Sequence, residues 1–118
     1  MADELNLSIS LSFIKTACQS LTIPLTDAVT VSGNAVAAAT QSIATTDTTL
    51  TFPAALSTVG FCVFQNLDAT NFITIGNDGT NYAAKLKPGE IALFRFNGTI
   101  HAKADTGACM LAFWIIED

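Results

Sequence analysis

His101 is the only histidine in the chain, so any imidazole chemistry has one residue to work with. It falls on the polar side of the alternating segment Thr99 to Asp105, beside Lys103, and no Cys stands at ligand spacing from it. A metal site there would have to borrow carboxylates from elsewhere. A Ser-His-Asp relay would need a nucleophile elbow of the Gly-x-Ser-x-Gly kind, which the sequence lacks. His101 is therefore expected as a surface residue. The three cysteines, Cys18, Cys62 and Cys109, are widely and irregularly spaced. That spacing suits neither a disulfide framework nor a zinc site, and reduced, buried thiols are expected. Oxygen ligands crowd into Asn66, Asp68, Asn71, Asn77, Asp78 and Asn81, the kind of set calcium takes, but they miss the loop pattern Asp-x-Asp-x-Asp-Gly. Glycoside hydrolysis needs two facing carboxyl groups. Glu90 stands alone after Pro88-Gly89, and Glu117 is next to last. No catalytic residue, cofactor site or metal site is read from the chain.

Most of these polar residues look like turn builders. Asp68-Ala69-Thr70-Asn71-Phe72 matches Asp78-Gly79-Thr80-Asn81-Tyr82 at an offset of ten residues. In each, Asp can cap the turn through its side chain, and Asn followed by an aromatic begins what comes next. With no further turn between them, the two corners fall at opposite ends of one strand. Asn6-Leu7-Ser8 and Asn97-Gly98-Thr99 match the glycosylation acceptor pattern. The opening Met-Ala-Asp-Glu has nothing of a secretory leader, so both matches are taken as accidental.

The elements that must position these residues are strands. Leu5, Leu7, Ile9, Leu11 and Phe13 alternate without exception with Asn6, Ser8, Ser10 and Ser12, the pattern of a half-buried strand. Pro24, Ser32-Gly33-Asn34 and the neighbourhood of Pro53 are read as turns, with short strands near 27–31 and 48–52. Ala35 to Ala39 is left as strand or one helical turn. Beyond residue 59, Asp78-Gly79, Pro88-Gly89, Asn97-Gly98 and Thr106-Gly107 cut the chain into strands of five to eight residues. Phe61 to Gln65 and Cys109 to Ile116 are apolar at nearly every position and are expected as central strands buried on both faces. Trp114 and Tyr82 are accordingly placed in the core, where neither offers a platform for a sugar. The expected fold is one all-β domain over 1–118, an antiparallel β-sandwich of jelly-roll type with little or no helix. Residues 1–15 supply its first strand or an N-terminal arm. Arg95 falls on the same face as Ile91 and Leu93, opposite Ala92, Phe94 and Phe96. A guanidinium so placed needs a partner, expected as a carboxylate across the sheet or on a neighbouring subunit.

Charge narrows the function. The 118 residues carry five Lys plus Arg against ten Asp plus Glu, a net charge of −5, with 50% hydrophobic and 13% charged residues. Nucleic acid needs clustered cations, and only Lys15 precedes Lys85. The uncharged stretch Thr48 to Leu67 contains Pro53, Gly60, Gln65 and Asn66, so two strands and a turn explain it better than a membrane span. An ordinary soluble domain carries roughly 25% charged residues. Part of this surface is therefore expected to be covered by something else. The deficit lies between Thr16 and Leu67, which points to the Thr/Ala-rich first half and Phe52 as the covered side and to the C-terminal hairpins as the wetter side.

The phrases Asn66-Leu67-Asp68-Ala69-Thr70-Asn71-Phe72, Leu86-Lys87-Pro88-Gly89-Glu90, Ala92-Leu93-Phe94-Arg95, Ala102-Lys103-Ala104-Asp105-Thr106 and Ile115-Ile116-Glu117-Asp118 give Val59 to Asp118 a likeness. This half of the chain resembles small β-rich virion structural proteins of tailed bacteriophages. The resemblance implies a non-enzymatic protein built into a particle as a homo-oligomer, often a trimer, in contact with the major capsid protein or another virion protein. It marks no active-site residue. A compact chain without a repeat array suits a capsid decoration or cement protein better than a fibre shaft. A tail, baseplate or fibre-tip component, or a carbohydrate-binding module for host attachment, are the alternatives. The candidate contact residues are Leu5, Leu7, Ile9 and Leu11 of the first strand, which could reach a neighbour by β-addition, together with Phe52 and Arg95.

Overall fold

The computed structural model describes residues 4–17 and 19–118; the expectation for Cys18 lies outside them. The chain divides between Ser32 and Gly33 into two compact units.

The first unit is a two-stranded antiparallel ribbon of β1 (Leu5–Phe13) and β2 (Leu21–Val29), in continuous register from Leu5 opposite Val29 to Phe13 opposite Leu21. Among the described strands, β1 pairs with β2 only. Side chains alternate across a strand. One face therefore collects Leu5, Leu7, Ile9, Leu11 and Phe13 with Val29, Asp27, Leu25, Ile23 and Leu21, and the other collects Asn6, Ser8, Ser10 and Ser12 with Ala28, Thr26, Pro24 and Thr22. β2 begins well before the expected 27–31, and Pro24 lies inside it opposite Ser10. A strand with a partner on one side only tolerates a residue without an N–H. Ala28 is four residues on and so faces the same way as Pro24. Its amide donates to Asp27 Oδ1 at 2.9 Å, which puts that side of β2 at the free edge.

The second unit has eight strands: β3 (Val36–Ile43), β4 (Thr48–Thr49), β5 (Val59–Asn66), β6 (Ile73–Gly76), β7 (Ala84–Leu86), β8 (Ile91–Arg95), β9 (His101–Ala104) and β10 (Cys109–Glu117). They form two antiparallel four-stranded sheets, ordered β3-β10-β5-β8 and β4-β9-β6-β7. No helix occurs among the described residues. The pairing is nested, first strand with last, second with seventh, third with sixth and fourth with fifth. Ala35 to Ala39 resolves into the start of β3. Gly33 and Asn34 stop a helix from extending backward. The small Ala37 and Ala39 fit opposite the bulky Ile115 and Phe113 of β10.

The inward faces of both sheets share one core, in which Phe64, Phe113, Ile43, Ile73, Ile75, Ile100, Leu111 and Ile115 are essentially without solvent contact. β5 and β10 occupy the central positions expected of them. Their burial is one-sided, however: Met110 and Trp114 of β10 are exposed, and Phe61, Val63 and Gln65 of β5 are half-buried. Phe52 is half-buried and packs edge-on against Phe113, ring centroids 5.9 Å apart, as part of the chain's own core.

The two matching corners do bracket a single strand, β6. Asp68 Oδ2 accepts from the Thr70 and Asn71 amides at 3.0 and 2.6 Å, and Asp78 Oδ1 accepts from the Thr80 and Asn81 amides at 2.7 Å each. Gly76 is where the second corner folds back, and a Cβ there would stand 1.8 Å from the Asn81 carbonyl oxygen. Gly89 takes φ 79° in the turn after Pro88, which glycine adopts without strain.

Asn66, at the end of β5, is fully buried, and its side chain is entirely engaged. Its amide nitrogen donates to the Asn71 and Leu86 carbonyls at 2.9 and 3.0 Å, while its Oδ1 accepts from the Asp68 amide at 2.9 Å. This one side chain ties β5 to the first corner and to β7. Asn66→Ala removes all three bonds, and a buried polar group left without a partner costs about 1–3 kcal/mol if it stays dry. The expected loss of stability in urea unfolding is about 3 kcal/mol, larger than for Asn81→Ala at the exposed second corner.

Candidate functional site

The two sheets of the second unit differ in their outward faces. The face of β4-β9-β6-β7 presents Lys85, Lys103, Thr74 and His101, with Lys85 Nζ 4.1 Å from the centroid of the Phe72 ring. The face of β3-β10-β5-β8 presents Val36, Ala38, Thr40 and Ser42, then Met110, Ala112, Trp114 and Ile116, then Phe61, Val63 and Gln65, and last Ile91, Leu93 and Arg95. Only Arg95 among these is charged. Val36 is 65% exposed, Ile91 70% and Trp114 44%. Monomeric proteins rarely leave so continuous an apolar face in water. Covering roughly 400 Å² of it would contribute on the order of 10 kcal/mol before the costs of association.

The face also corrects three expectations. Trp114 is not core, because β10 has a neighbouring sheet on one side only and alternate residues must point away from it. The same geometry removes the two-sided burial expected of Phe61–Gln65 and Cys109–Ile116. Nor is the open apolar surface confined to the first half of the chain: Ile91, Met110 and Trp114 come from its C-terminal strands. The wet side expected of that half is the single face carrying Lys85 and Lys103.

Arg95 finds its carboxylate within the chain. Its Nη1 lies 2.8 Å from Asp118 Oδ1, and its guanidinium carbon lies 4.6 Å from the centroid of Phe61, the residue paired with it across β5. The two side chains are 42% and 50% exposed, and exposed ion pairs of this kind contribute roughly 0.2–1 kcal/mol. The pair therefore trims the corner of an apolar face, and that face outweighs it as a source of binding energy.

Sequence reading missed two polar clasps, because each joins residues far apart in the chain. In the first, Asp47 receives the Tyr82 hydroxyl on Oδ1, and His101 Nδ1 lies 3.0 Å from its Oδ2. The Tyr82 and His101 hydrogen bonds hold the Asp47 carboxyl below its ordinary range, and the hydrogen bond to Asp47 pushes the Tyr82 phenol up to about 12. His101 is thus partly covered and paired with Asp47, where a surface histidine was expected. In the second clasp, Glu117 accepts from the Asn34 amide at 2.9 Å and from the Ser57 amide and hydroxyl at 2.8 Å each. Those bonds, the Ser57 amide first, hold its carboxyl down to about 2.

Both clasps join loops to strand ends and keep their carboxylates ionised. The corner aspartates are likewise committed, Asp68 to the Asn71 and Thr70 backbone amides and Asp78 first to the Asn81 side-chain amide and then to the Thr80 and Asn81 backbone amides, and these bonds lower both carboxyls. Among the described residues no group of three or more His, Cys, Asp or Glu side chains could hold a metal ion. Cys62 and Cys109 are free and buried, and burial pushes the Cys62 thiol up to about 12. No described helix is long and apolar enough to cross a membrane.

On the ribbon, Leu5 and Leu7 are half-buried, while Ile9, Leu11, Phe13, Leu21 and Leu25 are exposed. The four candidate residues Leu5, Leu7, Ile9 and Leu11 thus share one apolar face with their β2 partners. Phe52 and Arg95 belong to the second unit, and neither lies on that face.

Tyr82 is the chain's only tyrosine, so its phenol can be titrated alone by ultraviolet absorbance. Asp47→Asn is expected to return it from about 12 toward the ordinary value of 10. An unchanged titration would remove the clasp. Acid is expected to loosen the fold by a related route. Glu117 has a folded value of about 2 against an ordinary 4.5, so its contribution is complete above pH 4.5 and lost as pH falls toward 2. Thermal melts of Glu117→Gln across that window are expected to start lower at neutral pH and to fall less steeply than those of the unsubstituted chain. No protein-family model, no curated protein and no solved structure matches the chain.

Proposed function

We propose that this chain is a non-enzymatic structural protein of a bacteriophage virion, a capsid decoration or cement protein acting as a homo-oligomer, with a trimer as the expected state. The observation that carries the reading is the largely apolar outward face of β3-β10-β5-β8, on which Arg95 is the one charged side chain. A protein whose work is adhesion to other protein presents broad, flat, apolar surface, and here such surface coexists with carboxylates already committed to turns and clasps. The nested order of the eight strands supports a jelly-roll sandwich, a double-sheet architecture common among capsid proteins. The strand and turn phrases between Val59 and Asp118 support the virion context by resemblance. On this reading many shallow contacts, repeated by symmetry, hold the protein on its lattice. The major capsid protein or another virion protein is its partner, and the virion, assembled in the host cytoplasm, is its location.

A second reading, a carbohydrate-binding module, gains from two observations. Trp114 is open to solvent. A shallow cleft of about 340 Å³ brings Asn77, Asn81 and Asn97 beside the Phe94 and Phe96 rings. Amide groups next to aromatic rings are the ordinary means of holding a sugar.

Solution mass of the purified chain, with its position in the particle by electron microscopy, tests the first reading. The expected result is a stable oligomer that binds empty shells and appears at regular positions on the head. A monomer without affinity for shells would overturn it, and glycan-array binding abolished by Asn97→Ala would establish the second reading instead.

A further inference from the structure

We infer that the apolar face of the N-terminal ribbon is a self-association surface, covered in solution by the same face of a second copy of this chain. The inference gives the homo-oligomer of the preceding section a physical contact, but it does not depend on where the oligomer sits in a particle.

The ribbon cannot easily stand alone. A two-stranded sheet is marginal in water, and this one carries a face on which nine of ten side chains are apolar over its full register. Leu11, Phe13, Leu21 and Leu25 lie 48–57% exposed. The tenth side chain, Asp27, turns its Oδ1 to the Ala28 amide at the edge of β2, so the one charge on the face is occupied beside it.

On its β2 side the form of the ribbon favours face over edge. On the free edge of β2, Pro24 has no N–H to offer and the Ala28 amide is engaged by Asp27, so a further strand would find two donors missing. The face has no such obstacle. The strands and their turn, residues 5–29, carry one cation, Lys15, and one anion, Asp27; with Asp3 and Glu4 the first unit stands at −2 against −5 for the whole chain, so the charge opposing contact between two ribbons is small.

The area is sufficient. Nine residues per strand at about 3.3 Å each give a footprint of roughly 30 Å by 10 Å. With side-chain relief, that corresponds to about 600 Å² of accessible surface per copy, or roughly 1,200 Å² for a pair, the lower bound for specific interfaces. Two sheets packed at the usual separation of about 10 Å would interlock their Leu and Ile side chains as a domain core does.

The test uses the full chain. Ile9 and Leu25 face each other at the middle of the apolar side, and Ser8 and Thr26 do so on the polar side. The unsubstituted chain is expected to sediment as an oligomer. Ile9→Glu with Leu25→Glu is expected to weaken association by at least about 100-fold, since it places charge at the centre of the contact. Ser8→Glu with Thr26→Glu, equally charged and on the same two strands, is expected to leave the mass unchanged. Circular dichroism and the emission of Trp114, the only tryptophan, report whether residues 33–118 stay folded in each variant. A monomeric unsubstituted chain, an undiminished oligomer in the Ile9/Leu25 variant, or equal loss in the Ser8/Thr26 variant would each overturn the inference; the last would point to strand addition instead. An oligomer that depends on Ile9 and Leu25 yet ignores phage shells would overturn the virion reading and leave this one standing.

Discussion

The position of β10 between β3 and β5 is the constraint on which residues 33–118 depend. The strand is paired on both edges, so its backbone is satisfied within the sheet, and its side chains are sorted by alternation alone. Cys109, Leu111, Phe113 and Ile115 go inward and lose essentially all contact with water. Met110, Trp114 and Ile116 must then go outward, whatever their hydrophobicity. Burying that second set would need another layer of protein, which this chain's second unit does not contain. The apolar outer face is therefore a direct consequence of an almost wholly apolar strand placed in a sheet with one covered side.

The rest of the second unit serves to hold that arrangement. Asn66 closes the end of β5 against the first corner and β7, and Glu117 gathers Asn34 and Ser57 to the end of β10. Asp47 draws Tyr82 and His101 together across the other sheet. These polar groups sit at strand ends and loops, where backbone amides would otherwise face water or lie dry. They explain why a chain with few charges spends so many of its carboxylates on itself. What stays outward on the sheet β3-β10-β5-β8 is mostly apolar, as the proposed role in assembly requires.

Much of this was legible in the sequence. The unbroken alternation of Leu5 to Phe13, the turn dipeptides after residue 59 and the repeated Asp-x-Thr-Asn corner each express a local rule, and local rules survive without knowledge of neighbours. Three features were not legible, for physical reasons. Trp114 looked like core because hydrophobicity measures the tendency to be buried and does not say which face of a strand has cover. Pro24 looked like a turn because a proline is compatible with a strand only when one edge is free, and edge status depends on pairing. The Asp47, Tyr82 and His101 cluster joins residues up to 54 positions apart, so no spacing could announce it. Arg95 stood between these cases: its need for a carboxylate followed from its face, but Asp118 was identified only by the fold.

We propose the apolar faces of this chain, the ribbon face above all, as contact surfaces for protein. Hydrogen exchange of the full chain, followed at the amides of β1 and β2, tests it most directly. An uncovered two-stranded ribbon opens readily and exchanges almost as an unfolded peptide does, whereas a covered one is protected. The expected result is slow exchange across both strands at concentrations where the chain is oligomeric, rising to near-unprotected rates once dilution or Ile9→Glu separates the copies, while β5 and β10 stay protected throughout. Rapid exchange of the ribbon in the oligomer would contradict the account.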